Sequence, residues 1–358
     1  MAAYTTIDDP EAYFQTVLYT GNGSDDRDIT LPGTTDMQPD FVWIKERSST
    51  SGHQLTDSAR GVGKHLNSND VAVEGSNAER VQAFNSDGFQ IGTDSSVNEN
   101  TITHVAWCWN TQGGAGSSNT DGGINTDTTS VGATQGFSMS TYSGTGSAST
   151  IGHGLGAAPG LIFLKRRTSS AAGWAVYHHA NTAAPETDGL YLNTTAATAD
   201  SSTQFNDTAP TSTVFSIGTD GAVNGSGDTY MSYAWAEKQG YSKFGTYVGN
   251  GNNDGSFVYL GFRPAFLMTK SHVDAGDNNW HMMDNKRNGF NLENHLIQAD
   301  LAVAEETGSG YQWIDFLSNG FKAINSVGST NSNGATYLYI AFAEAPFVSS
   351  NGIPGNAR

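Results

Sequence analysis

YTGNG (Tyr19–Gly23), YSGTG (Tyr142–Gly146) and YVGNG (Tyr247–Gly251) say nearly the same thing three times in one chain. If the match reflects an internal repeat, the flanking features must recur in the same order, and such a repeat decides the fold before any local reading. They do recur. A proline, an apolar run and a lysine come next, as PDFVWIK (Pro39–Lys45), PGLIFLK (Pro159–Lys165) and PAFLMTK (Pro264–Lys270). WAVYHHA from Trp174 and WHMMDNK from Trp280 then stand where the first copy has HQLTDSARG from His53. A short apolar-Asn stretch follows, HLNSN near Leu66, LYLNT near Leu192 and FNLEN near Leu292. Each copy closes on a long segment: FQIGTDSSVNENTITHVAWCWN from Phe89, FSIGTDGAVNGSGDTYMSYAWAEKQG from Phe215 and FKAINSVGSTNSNGATYLYIAFAEAP from Phe321. A strand, a Gly/Asn/Ser turn and a second, aromatic strand read as a hairpin.

The three prolines lie 120 and 105 residues apart, and the extra length falls in Thr111–Gly136, a run almost free of large apolar residues. That composition predicts a loosely ordered linker. A repeat of about 100 residues is long enough to hold a core of its own. Short alternating segments such as TYLYIAF and TYMSYAW predominate over helical periodicity. The expectation is an all-β chain of three tandem antiparallel β-sandwich modules, jelly-roll or lectin-like. The first module spans 1–112, the linker 113–135, the second module 136–239 and the third 240–358. DDPEAYFQTVL (Asp8–Leu18) comes nearest to a helix, with a capping Asp and an early Pro, so a short N-terminal helix is the most that is expected. The second and third copies join at EKQGYSKFGTYVG without a spacer and should form a rigid pair. A fragment starting near Gln135 should then fold without the first module.

Charge narrows the function. Lys and Arg number 17 against 35 Asp and Glu, a net charge of -18, which repels a phosphate backbone and argues against nucleic acid as a partner. The first 136 residues carry 6 of the basic and 18 of the acidic residues, a surface suited to a basic partner. No apolar run reaches the about 18 residues of a membrane span, and MAAYTTIDDPEAYF lacks the basic start and apolar core of an export signal. Cys108 is the only cysteine; lying between two tryptophans in VAWCWN, it reads as a small buried hydrophobe.

The chemistry-bearing motifs are few. No GxSxG elbow, HExxH pair or phosphate-cradling glycine loop stands in its required context; GHGLGAAPG at Gly152 precedes a strand. Glu305 and Glu306 read as a solvated turn, and Asp57 with Arg60 as a local ion pair. His178, His179 and His281 raise a metal question, but adjacent histidines on a strand point to opposite faces. They stand instead as ligand-binding candidates together with Trp174 and Trp280, whose rings could stack on sugars. Tyr19, Tyr142 and Tyr247 could do the same, but the recurrence of these tyrosines and tryptophans at equivalent places favours shared core packing. Asn252, Asn253 and Asp254 in GNGNNDGS are the calcium candidates, and no other cofactor is expected.

The opening YTTIDDPEAYFQTVLYTGNG, PDFVWIK with its DSARG segment, the GFQIG and AWCWN strands and the ending YIAFAEAPFVSSNGIPGNAR resemble repeat-containing virion proteins of tailed bacteriophages, marine and cyanobacterial ones above all. The resemblance covers nearly the whole chain and implies a tail, fibre or other structural role, with no active-site motif to carry over. DSARG has no evident counterpart in the later copies. The expectation is therefore a non-enzymatic virion protein assembled in the host cytoplasm, in the tail or fibre apparatus or decorating the capsid. It would contact other virion proteins and form a homo-oligomer, a trimer being common among fibres. The alternative is an adsorption protein binding host surface glycan, and a more remote one is a polysaccharide depolymerase.

Overall fold

The computed structural model describes residues 3–272, 278–289, 291, 294–308 and 313–355. Three large antiparallel sheets recur with one strand order. In the first, Phe14–Thr20, Thr103–Trp109, Phe41–Glu46 and Gln54–Asp57 lie side by side. The second runs Thr128–Gly132, Phe137–Ser143, Thr229–Trp235, Leu161–Arg166, Ala175–His178, and the third Ser242–Val248, Thr336–Pro346, Phe262–Ser271, His281–Asp284, Ile297–Gln298. Each closing strand is therefore central, between the strand that ends in YxGxG and the strand that begins near the repeated proline. The register repeats as well. Trp109 faces Phe14 and Phe41, Trp235 faces Phe137 and Leu161, and Phe342 faces Ser242 and Phe266.

Alternation gives every large sheet two apolar faces. One face of the first sheet, with Val17, Ile44, Ala106 and Cys108, clusters with Ile29, Phe89 and Ile91 of a small sheet built from Arg27–Thr30, Gly88–Ile91 and Val81–Asn85. The second copy does the same with Ile162, Leu164 and Ala234 against Ile151, Phe215 and Ile217. The opposite faces of all three large sheets meet in one cluster. At its centre the equivalent residues Trp109, Trp235 and Phe342 form a closed triangle, with ring centroids 6.4, 5.6 and 6.4 Å apart. Three repeats thus share a central aromatic core about a pseudo-threefold axis. Large rings supply most of the buried apolar area per residue, so this shared core dominates the packing.

Several expectations change. Stretch 113–135 is no loose spacer: Thr128–Gly132 pairs with Phe137–Ser143 along its whole length, Ser130 is fully buried, and Ile124 bridges Ile151. Hydroxyl pairs, Thr111 with Ser130 and Thr129 with Ser140, replace the large apolar side chains whose scarcity suggested disorder. Asp8–Leu18 holds no α-helix, and its last five residues are strand. Asp9 caps only the single 3-10 turn Pro10–Ala12, and the chain then extends because Phe14–Thr20 finds a sheet edge. The closing segments are not hairpins, since their two strands belong to different sheets. Between them stand one-turn helices, Ser95–Asn98, Gly221–Asn224 and Gly328–Asn331, the first two capped by Asp94 and Asp220. The residues ahead of the first strand pack where the second and third repeats join, with Tyr4 and Thr5 donating to the carbonyls of Gly261 and Gln239. Among the described residues no helix is long and apolar enough to cross a membrane.

Candidate functional site

The YxGxG stretches hold the fold together. Each tyrosine hydroxyl donates to a carbonyl of its one-turn helix: Tyr19 to Val97, Tyr142 to Val223, Tyr247 to Thr330, at 2.7–2.8 Å. A Cβ on the first glycine of each would lie 2.0–2.4 Å from a helix-end carbonyl oxygen, and the second glycine has φ near +70°. Fully buried Asn98, Asn224 and Asn331 close each loop. Asn224, for one, accepts from Thr145 N and donates to Ser147 O and Gly218 O. The repeated motif is thereby a structural one, and the turn chemistry accounts for its shared residues.

The seams between repeats carry the candidate aromatic and histidine residues. Trp174 and Trp280 are fully buried, so neither ring offers a face to a sugar. Their indole nitrogens donate across a seam, Trp174 to Asn67 O and Trp280 to Tyr191 O, at 2.8 and 2.9 Å. His53 holds the equivalent place in the first copy. Its Nδ1 accepts from the Trp43 indole, which leaves Nε2 to donate to Gln298 O at 3.0 Å. One ring nitrogen per repeat thus reaches the neighbouring repeat, and the three bonds close a circle. Asn67, Tyr191 and Gln298 are equivalent positions, because Asn69, Asn193 and Asp300, each two residues on, accept from the backbone of His53, Trp174 and Trp280. The third counterpart therefore lies at Leu296–Ala299 rather than at FNLEN, whose Leu292 falls outside the described residues.

Fully buried Lys45, Lys165 and Lys270 stand at the ends of equivalent strands, and each donates to backbone carbonyls. Burial lowers the Lys45 and Lys165 ammonium groups to about 8. The DSARG pair recurs after all: Arg60 bonds Asp57 and Arg287 bonds Asp284, both pairs fully buried. Glu305 is no solvated turn, because it bonds Arg47 of the first repeat and Arg287 of the third. Glu74 likewise joins Arg60 to Arg167 of the second repeat; burial opposes its charge, but the two guanidinium groups hold its carboxyl below the usual value. The remaining seam has His272 and Thr198 at these places, joined through Thr198 N to His272 O.

His178 is buried and bonds Tyr339 O, and burial depresses it to about 3. His179 is partly exposed, with Nε2 3.0 Å from Phe244 O and 3.6 Å from Glu237, which itself accepts from Phe244 N. These two side chains thereby cover part of a sheet edge. His281 is buried and stacks on Trp313. The three histidines thus do not converge, and no group of three His, Cys, Asp or Glu suited to a metal occurs among the described residues. In the calcium candidate loop, Asn252, Asn253 and Asp254 are exposed. Asn252 donates its amide to Asn250 O, and Asp254 is ion-paired with Lys322.

Glu46 has both carboxylate oxygens buried without a donor, and its cross-strand partner His104 has Nε2 in the same state. Both residues are fully buried, out of reach of any substrate. No sequence signal marks this pair, which occupies places held by Arg166 and Tyr230 in the second copy. Open clefts among the described residues include one of about 370 Å³ beside Tyr4, Lys243 and Tyr259 and one of about 330 Å³ beside Val62, Ser76 and Gln82.

The fold and its seams define a class: a single-chain, pseudo-threefold all-β protein whose repeats share one aromatic core. The chain belongs to the family DUF7483, described as a domain of unknown function, which matches residues 9–346. That match runs through all three repeats and the stretch between the first two. No curated protein matches the chain, and no solved structure does.

Proposed function

We propose that the chain is a non-enzymatic structural protein of a bacteriophage particle, displayed on the exterior in the tail or fibre apparatus or as a capsid decoration. The observation that carries this reading is the closed triangle of Trp109, Trp235 and Phe342. One chain builds the kind of body that commonly takes three subunits, and such a body suits a position of threefold symmetry on a larger assembly. The engagement of the candidate histidines, arginines and carboxylates in seams and turns supports a structural role over catalysis. The resemblance to phage virion proteins supplies the setting, and other virion proteins are the partners.

Antibody labelling of intact particles, imaged by electron microscopy, tests the proposal. Label at the tail or spread over the head is the expected result and separates the two placements. Particles that contain the genome encoding this chain but carry no label, inside or out, would overturn it. Sedimentation of the purified chain then distinguishes a single-chain unit from a homo-oligomer.

A further inference from the structure

The three repeats provide an internal control for what the fold requires. On the buried face of the small sheet, Val258 pairs with Phe321, as Ile29 pairs with Phe89 and Ile151 with Phe215. The residues flanking these buried positions point outward. They are Asp28 and Thr30 in the first copy, Thr150 and Gly152 in the second, but Phe257 and Tyr259 in the third. Phe257 is 49% exposed and Tyr259 48%. Two copies build the same sheet without aromatic residues there, so the rings are not needed for packing.

Tyr259 also lines the cleft of about 370 Å³, together with Tyr4, Glu237, Gln239 and Lys243. Its geometry is held from several sides. The Tyr4 hydroxyl donates to Gly261 O at 2.8 Å and lies 3.2 Å from the Tyr259 hydroxyl, which must therefore be the donor between the two. Lys243 donates to Tyr259 O at 2.8 Å, and its ammonium sits 5.5 Å from the Tyr259 ring centroid. Glu237 and Gln239 are exposed at the rim. A positioned ring and a rim of amide, carboxylate and ammonium line the cleft, and a second exposed ring stands two residues along the strand on the same face.

We propose that this cleft and the adjoining Phe257 bind a neutral oligosaccharide. Sugars present an apolar face that packs on an aromatic ring and an equatorial fringe of hydroxyls that both donate and accept. The rim supplies the complement: Glu237 and Gln239 accept, while Gln239 and Lys243 donate. Charge selects the neutral class. The cleft holds one cation and one anion, and the chain as a whole carries -18, which repels an acidic polysaccharide. The inference goes beyond the structural role and adds a recognition face to one repeat of three.

The test uses the full chain on an array of neutral glucan, mannan and N-acetylglucosamine oligosaccharides, with acidic glycans on the same array. The variants are Phe257→Thr and Tyr259→Thr, each introducing the residue that one sibling repeat carries at that place, Thr150 and Thr30. Binding to a neutral member that weakens about tenfold or more in the double variant, with an unchanged melting temperature, is the expected result. Val303→Thr, an exposed apolar position elsewhere, should leave binding intact. No neutral member bound, binding to acidic glycans only, or full binding in the double variant overturns the proposal. So does self-association that the double variant abolishes, which would assign the rings to contact with a second copy. None of these outcomes bears on particle labelling, so the two proposals fail separately.

Discussion

The indole nitrogen of Trp280 donates to the carbonyl oxygen of Tyr191 at 2.9 Å, across the seam between the second and third repeats. A residue that sequence pattern nominates for a ligand platform is instead part of the closure of a ring of three repeats, and the ammonium of Lys270 lies 5.5 Å from its ring. The relationship predicts the behaviour of a conservative change. Trp280→Phe keeps an aromatic ring but leaves a buried carbonyl without its donor and a small void, at a cost of about 2 kcal/mol. Trp174→Phe, which breaks the bond to Asn67, should behave alike. Urea unfolding measures both, and an unchanged midpoint in both variants would remove the ring of seam bonds from the account of stability.

The YxGxG loops predict a second pattern. Asn224→Ala removes three hydrogen bonds from a fully buried side chain and should cost about 2–3 kcal/mol. Gly144→Ala places a Cβ 2.4 Å from Gly225 O, which only a backbone shift relieves, so it should destabilise at least as much. Gly156→Ala is the contrast: nothing lies within 4 Å of its Cβ, and its φ of +71° leaves backbone strain as the whole effect. Comparable midpoints for Gly144→Ala and Gly156→Ala would show that close approach is not what the first glycine serves.

These loops also show what was legible in the sequence. Strand content, the repeat and its landmarks were readable because alternation and the Pro, Lys and Tyr positions are local signals. The one-turn helices were missed: TDSSVNEN looks like a turn, although Asp94 and Asp220 carry the capping signal four residues ahead of a buried Asn. The seams were not legible at all. Trp174 and Trp280 each stand one residue ahead of a strand, Ala175–His178 and His281–Asp284; their recurrence favours a buried place, but only the packing of three sheets together shows which repeat each one reaches. The stretch 113–135 misled for a related reason, since Thr and Ser that pair in a sheet have the composition of a linker. Phe257 and Tyr259 were visible but carried no weight until the register showed what the other copies hold at the same places.

Buried histidines set the acid limit. Burial lowers His53 and His178 to about 3 and His104 to about 4, against 6.5 for an exposed imidazole. Between these values the unfolded chain binds protons that the folded chain does not, so stability rises with pH across the window and falls as pH drops from about 6.5 towards 4. Urea midpoints measured from pH 7 down to pH 4 should decline steadily. His178→Gln should lower the midpoint at neutral pH, by weakening the bond to Tyr339 O, and flatten the acid slope. A slope unchanged by this substitution would show that His178 is not among the groups responsible.

The shared core makes a prediction opposite to the one that the linker suggests. Removing residues 1–135 takes away Phe14, Phe41 and Trp109, whose rings lie 4.5–6.4 Å from Tyr233, Trp235, Phe266 and Phe342 of the later repeats. It also strips Asn67 O from Trp174 and Glu74 from Arg167. A fragment of 136–358 should therefore expose one side of the central cluster, bind a hydrophobic dye and lose dispersed side-chain NMR signals, rather than fold as a rigid pair. The intact chain should unfold in a single calorimetric transition whose van't Hoff and calorimetric enthalpies agree. Two resolved transitions, or a fragment with a native-like spectrum, would mean that the repeats hold their own cores and that the aromatic triangle joins finished domains. With one transition and a molten fragment, the triangle is the core on which all three repeats depend.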